Sequence, residues 1–432
     1  MKRLLLATAA LGLSAGVATA MEESVSDGMD MSHGMGMDMM DDMGMAPSVA
    51  LSGNAEMGVV GNKDDEARFH TDIDVTFKAT GTMDSGVTWS ADVDLDEGGK
   101  DAPAHADDDD DGGVTISISQ PEGFGSLTMG DTAGGIAWAV SDARGAGPGS
   151  IRDNHEHKGS SGNDGLDAKH DNQILRWDRV IGSGFSLAAS VEIDDDKDGT
   201  PNTSTYDPIL GVGGKFSMGM GVGTLGVGAG YQMGSYKHTF NDIETPNQAK
   251  ARADAAKAAG EELKKLDTLW AGEVDATAFG GSVSLDFGNG GDGIKVIADG
   301  GLMEADGSMS KDGKVTDTVD VEEMSVGIGL GYTVGAISLG VNMGTMVTEM
   351  ISDKQGDNMK RAHEKTVNGI GFSAQYDLGG GAAIQFGAGS HEIEHDWTVE
   401  GTNAEKYSGG GADGYDSSSD TNSWSLGVKF SF

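Results

Sequence analysis

One pattern constrains the fold of this chain more than any other: apolar and polar side chains alternate with a period of two, segment after segment. It is clearest over the last twelve residues. Trp424, Leu426, Val428, Phe430 and Phe432 share one parity, while Ser423, Ser425, Lys429 and Ser431 share the other, with Gly427 between them. Such alternation is a β-strand with one apolar and one polar face. Residues 69–80 repeat it, with Ile73, Val75, Phe77 and Ala79 opposite Asp72, Asp74, Thr76 and Lys78. Residues 87–95 set Val87, Trp89, Ala91, Val93 and Leu95 against Thr88, Ser90, Asp92 and Asp94. Further strands are expected at 48–60, 114–119, 124–130, 172–180, 184–193, 210–218, 224–236 and 273–287. The series continues at 293–302, 323–334, 336–348, 367–378, 382–391 and 422–432, which makes sixteen.

The connections carry as much information as the strands. Short links at 81–86, 120–123, 181–183, 219–223, 288–292, 335 and 379–381 alternate with long ones. The long ones are 98–113, 131–171, 194–209, 237–272, 303–322, 350–366 and 392–421. Short turns on one side and long loops on the other are expected of a closed antiparallel β-barrel in an outer membrane. The amino-terminal end agrees. Lys2-Arg3, an apolar run from Leu4 to Val17 and the ending Ala18-Thr19-Ala20 read as a secretory signal peptide over residues 1–20. Beyond it the sequence offers no continuous apolar stretch of the ~20 residues a membrane helix needs. The expectation is an all-β, closed antiparallel transmembrane barrel over 48–432, secreted to the outer membrane of a Gram-negative bacterium. An even strand number brings both barrel ends to the periplasmic side.

Composition narrows the function. A formal net charge of -41 repels phosphate backbones, so nucleic-acid binding is excluded. There are no cysteines, hence no disulfides, thiolate metal sites or cysteine nucleophiles. Neither Gly-x-Ser-x-Gly nor His-Glu-x-x-His occurs, and the chain does not read as an enzyme. His155 with His157, and His391 with His395, have suggestive spacings but no matching ligand set, and read as surface histidines.

Three segments stand apart. Residues 21–47 are crowded with Met and Asp, as in Met35-Gly36-Met37-Asp38-Met39-Met40, and read as a disordered periplasmic segment or as a thioether site for Cu(I). Residues 247–269, just after Pro246, are rich in Ala, Lys and Glu and are expected to form a helical insert. Acidic runs, Asp107, Asp109 and Asp111 within one and Asp194, Asp196 and Asp198 in another, offer oxygen ligands for structural calcium, or simply a soluble loop surface. No cofactor is required by anything in the sequence.

Several short motifs resemble the general porins of alphaproteobacteria, the Rhodobacter type. They are Val49-Ala50-Leu51-Ser52-Gly53-Asn54-Ala55-Glu56-Met57-Gly58-Val59, Gly123-Phe124-Gly125-Ser126-Leu127-Thr128-Met129-Gly130-Asp131, Leu175-Arg176-Trp177-Asp178 and Val428-Lys429-Phe430-Ser431-Phe432. The resemblance spans roughly Val49 to Phe432; the Met-rich head and the helical insert depart from it. It implies a homotrimer of sixteen-stranded barrels in contact with lipid and lipopolysaccharide. It also implies a third long loop folded into the lumen as a constriction, which by order and length is 131–171 here.

On that reading Asp131, Asp142, Arg144, Arg152, Asp153 and Glu156 are the constriction candidates. Asp72, Asp74, Lys78, Asp92, Asp94, Arg176 and Asp178, on polar parities, are expected to line the pore wall. The implied function is passive diffusion of ions and small hydrophilic solutes, with a cation preference from the excess of carboxylates. The rival readings are a substrate-specific or metal-linked channel and a calcium-binding surface adhesin.

Overall fold

The computed structural model describes residues 47–63, 66–98, 113–153, 155–157, 159, 165–167, 169, 173–193, 207–240, 270–288, 291–311, 314–354, 359–401 and 417–432. The signal peptide, the Met-rich head, the expected helix at 247–269 and the six candidate calcium aspartates, Asp107, Asp109, Asp111, Asp194, Asp196 and Asp198, lie outside the described residues.

All sixteen strands expected from the alternation are present. They are β1 (Ser48–Asn62), β2 (Arg68–Thr82), β3 (Thr88–Gly98), β4 (Val114–Gln120), β5 (Gly125–Asp131), β6 (Gln173–Gly182), β7 (Phe185–Glu192) and β8 (Ile209–Gly219). Then follow β9 (Thr224–Phe240), β10 (Trp270–Asp286), β11 (Gly293–Lys311), β12 (Lys314–Val334), β13 (Ile337–Lys354), β14 (Met359–Gly379), β15 (Ala382–Gly401) and β16 (Ser417–Ser431). Each strand pairs antiparallel with its sequence neighbours, and β1 pairs with β16, so the sheet closes on itself. Gly53 and Phe432 exchange both backbone hydrogen bonds at that seam, at 2.9 and 3.0 Å. Closure leaves no open strand edge, the condition for crossing a bilayer with sheet.

The hairpins between β9 and β16 depart from the expected loops. Residues 303–322 were expected as a loop, yet β11 and β12 stay paired out to Lys311 and Lys314. Likewise 350–366 is ladder for much of its length, with Lys354 opposite Met359. The strands beside the links at 237–272 and 392–421 also run on, to Phe240, Trp270, Gly401 and Ser417. Beyond the apolar band both faces of a hairpin meet water. The alternation then fades from the sequence while the backbone ladder continues.

The two faces differ sharply. Ile328, Leu330 and Tyr332 on β12, Leu339 and Met343 on β13, and Ile370 and Phe372 on β14 are exposed. The opposite parity carries small or polar residues such as Gly327, Gly329, Gly340 and Ser373. What core there is lies on this second face. Ile136, Ala139, Val140 and Leu166 from the β5–β6 connection cluster with Ile209, Tyr236, Val274, Ala276, Ala278, Ala305 and Val319 of the wall.

Candidate functional site

The described residues of the connection after β5 are held to the wall at several points. It opens with a one-turn helix, α1 (Gly135–Ala139), against β7 to β10. A 3-10 turn at Ala143–Ala146 then meets β11 to β13, and another at Ile151–Asp153 meets β15, β16 and β1. Its contacts fall on the parity opposite the exposed apolar side chains. Close approach is allowed by glycine: a β-carbon at Gly329 would sit 1.8 Å from the Ala143 carbonyl oxygen, and one at Gly371 would sit 1.7 Å from that of His155.

Wall side chains take up the backbone groups that such a segment would otherwise bury unpaired. Ser190 Oγ accepts from Gly135 N at 2.9 Å, Gln232 Oε1 from Leu166 N at 2.7 Å and Ser282 Oγ from Ser141 N at 2.8 Å. Asp299 Oδ2 accepts from Ala143 N at 2.5 Å, and Glu56 Oε2 from Arg152 N at 3.0 Å. Basic groups serve the carbonyls. Lys215 Nζ donates to Trp138 O at 3.2 Å and sits 3.8 Å from the Trp138 ring centroid. Lys295 Nζ donates to Gly145 O at 3.0 Å, and Arg176 to Ala133 O at 2.7 Å. None of Glu56, Ser190, Lys215, Gln232, Ser282, Lys295 or Asp299 was singled out from the sequence. Their signal is a lone polar residue at wall parity within Gly/Ala-rich runs, as with Asp299 in Ile297-Ala298-Asp299-Gly300-Gly301.

The constriction candidates divide. Arg144 joins two of them: its Nε donates to Asp142 Oδ2 at 2.8 Å, and its Nη1 pairs with Glu156. Asp142 also caps the 3-10 turn, accepting from Arg144 N at 2.7 Å. Arg152 and Asp153 are exposed and adopt left-handed backbone, φ +53° and +45°, rare for non-glycine residues. Arg152 meets the wall through its backbone N–H. Asp131 stands apart. It ends β5 on the parity of the exposed Met129 and lies beside Gly113, away from the parity that carries the segment.

Of the wall candidates, Asp72 lies opposite Glu56 in the β1–β2 register and so shares the face that Arg152 touches. Asp74 and Lys78 continue that face. Lys78 pairs with Asp92 at 3.1 Å, and Thr76 donates to Asp94 at 2.5 Å. Arg176 pairs with Asp178 at 3.2 Å.

The histidines correct the sequence reading. His155 and His157 are buried, each 5% exposed. Ser150 Oγ and His155 Nδ1 are 2.9 Å apart, and Gly159 N donates to His157 Nδ1 at 3.1 Å. Burial holds the His155 imidazole below its ordinary range. Burial, and then the charge of Arg144, takes His157 down to about 4. His391 and His395 belong to β15, where His395 stacks on His363 with centroids 5.2 Å apart.

The sequence profile of the Gram-negative porins matches residues 7–396 of this chain. The chain belongs to the Gram-negative porin family. A porin from Rhodobacter capsulatus is 26% identical over 349 residues, covering 80% of this chain and 95% of that one. A solved porin superposes with a TM-score of 0.53 at 21% identity, covering 89% of this chain and all of the other. The anion-selective porin of Comamonas acidovorans gives 0.50 at 14% identity, over 90% of this chain and 100% of its own. This porin is thus a channel of the Gram-negative outer membrane, and its family are channels, not enzymes.

Proposed function

We propose that this porin passes ions and small hydrophilic solutes by passive diffusion, and that the segment within 131–171 folds into the lumen and narrows it. The observation that carries this reading is the seating of that segment against β7 to β16 and β1 on the polar parity, the parity that on β2 and β3 carries Asp72, Asp74, Asp92 and Asp94. We further propose a cation preference. A shared fold leaves the sign open, since a structural neighbour is anion-selective, so the placement of charge must decide. Arg144 sits between Asp142 and Glu156, and Arg176 is tied to Asp178 and Ala133 O. Lys215 and Lys295 are turned to loop carbonyls. Among the described residues of β2 and β3, Asp72, Asp74, Asp92 and Asp94 share their face with two basic groups, Arg68 and Lys78, and Lys78 is paired with Asp92.

Reversal potentials in planar bilayers under a KCl gradient test the preference. The expected sign is cation-selective, and Asp72→Asn with Asp74→Asn shifts it toward zero. An anion-selective value in the parent protein refutes it. Conductance that rises without saturation across salts and sugars supports general diffusion. Saturation by one solute instead favours a substrate-specific channel.

A further inference from the structure

We propose that Glu56, His70 and Asp72 form a site for a divalent first-row transition cation on the inner wall, beside the point where the β5–β6 segment meets β1. One ligand atom from each lies within 4.8 Å of the other two. The placement follows from the ladder. Glu56 and Asp72 are directly opposite across β1 and β2, and His70 is two residues from Asp72, hence on the same face. His70 lies opposite Gly58, whose missing side chain leaves room for Ile151 of the loop.

His70 supplies the observation that points to a ligand. It is 9% exposed, and its Nε2 is buried and makes no hydrogen bond. That nitrogen faces Glu56 Oε2 at 3.5 Å, too long for a hydrogen bond and close to the separation of two ligands on one small cation. A buried ring nitrogen that makes no hydrogen bond is costly, and a metal ion satisfies it. Glu56 is already held for the task. Lys429 Nζ takes its Oε1 at 2.9 Å, and Arg152 N donates to Oε2 at 3.0 Å, which fixes the carboxylate plane and leaves the second lone pair of Oε2 open. One imidazole and two carboxylates suit Zn²⁺ or a neighbouring divalent ion, whereas calcium prefers an all-oxygen shell.

The test uses the full-length folded porin in detergent, with Zn²⁺ as the probe in equilibrium dialysis and Co²⁺ as the spectroscopic probe. His70→Ala and Asp72→Asn are compared with the parent, so that binding elsewhere on this acidic chain cancels. Glu56 is left alone because it also holds Arg152 and Lys429. The parent is expected to retain one tight Zn²⁺ more than either variant, or to bind it at least about ten-fold more tightly. It should also show Co²⁺ ligand-field bands that both variants lose. Should His70→Ala fail to form the heat-modifiable barrel on gels, Asp72→Asn alone decides. Equal stoichiometry, affinity and Co²⁺ spectra in parent and folded variant overturn the site. Binding is read without current, so the outcome is independent of the diffusion reading. If both hold, micromolar Zn²⁺ lowers the parent's cation current and leaves that of His70→Ala unchanged.

Discussion

Asp299 shows how much of the loop's position rests on single side chains. It is 4% exposed on β11, and its carboxylate receives the N–H of Ala143, itself buried. Asp299→Ala would leave that donor unpaired, at about 1–3 kcal/mol. The expected result is an intact barrel with a noisier, wider channel and faster tryptic cleavage at Arg144; unchanged noise and cleavage would show that the loop is seated by other contacts. His157 gives the loop a pH dependence. Its ordinary value is 6.5 and the seated one about 4, so the seated loop binds fewer protons than the released loop. Seating is therefore fully favoured above pH 6.5, weakens as pH falls toward 4, and levels off below that. Channel noise recorded from pH 7 to pH 4 should rise over that window in the parent, rise less in His157→Gln, and stay flat only when His155, also held low by burial, is replaced by Gln as well; a flat parent profile contradicts it. Such anchors are hard to read from sequence because they serve backbone groups far along the chain. Asp299 and Ala143 are 156 positions apart, and no local spacing marks them as partners.

At the scale of the strand, alternation was legible wherever one face meets lipid and the other the pore. All sixteen strands follow from it, and so does the shared face on which the structure pairs Lys78 with Asp92. It failed where both faces are wet. The upper β11–β15 hairpins carry a row of directly opposed carboxylates, Glu304, Glu322, Glu349, Glu364 and Asp396, one per strand. Their parity is that of Leu302, Met324, Met343, Ile370 and Ile384, so the row continues the outer face beyond the apolar band. Like charges opposite one another weaken a ladder, here by roughly 0.2–1 kcal/mol per pair. Glu349→Gln relieves two such pairs. Amide exchange in the upper halves of β12 to β14 should slow in that variant, and in the parent should slow as NaCl screens the row. Exchange indifferent to both changes would mean the row carries no repulsion worth counting. The glycines on the opposite face make the complementary case. Gly329→Val would drive a side chain into the Ala143 carbonyl and lift the 3-10 turn, so conductance should increase while the barrel still folds.

The whole barrel is uneven in height, and that bears on assembly. β12 and β14 have 21 residues each, whereas β4 and β5 have 7. Seven residues at about 3.3 Å each, tilted by about 35–45°, rise only about 16–19 Å, short of the ~25 Å apolar band of a barrel in lipid. β5 cannot be extended upward, because α1 follows three residues after Asp131. The outward side chains of this low sector are nonetheless apolar: Val114 and Ile116 on β4 and Met129 on β5 are exposed. A second subunit would cover that apolar surface without requiring a full-height lipid-facing wall, and we propose this sector as the contact of the homotrimer that the porin resemblance implies. The absence of native cysteine makes the test clean. Ile116→Cys in the membrane-embedded porin should give a covalent dimer with a short bismaleimide, because one thiol per subunit links subunits in pairs. Leu330→Cys, on the tall wall and 46% exposed, should stay monomeric under the same treatment. Cross-linking at position 330 with none at 116 would move the subunit contact to the tall side. Failure at both positions, together with a monomer mass that retains channel activity, would leave the low sector facing lipid and remove the trimer.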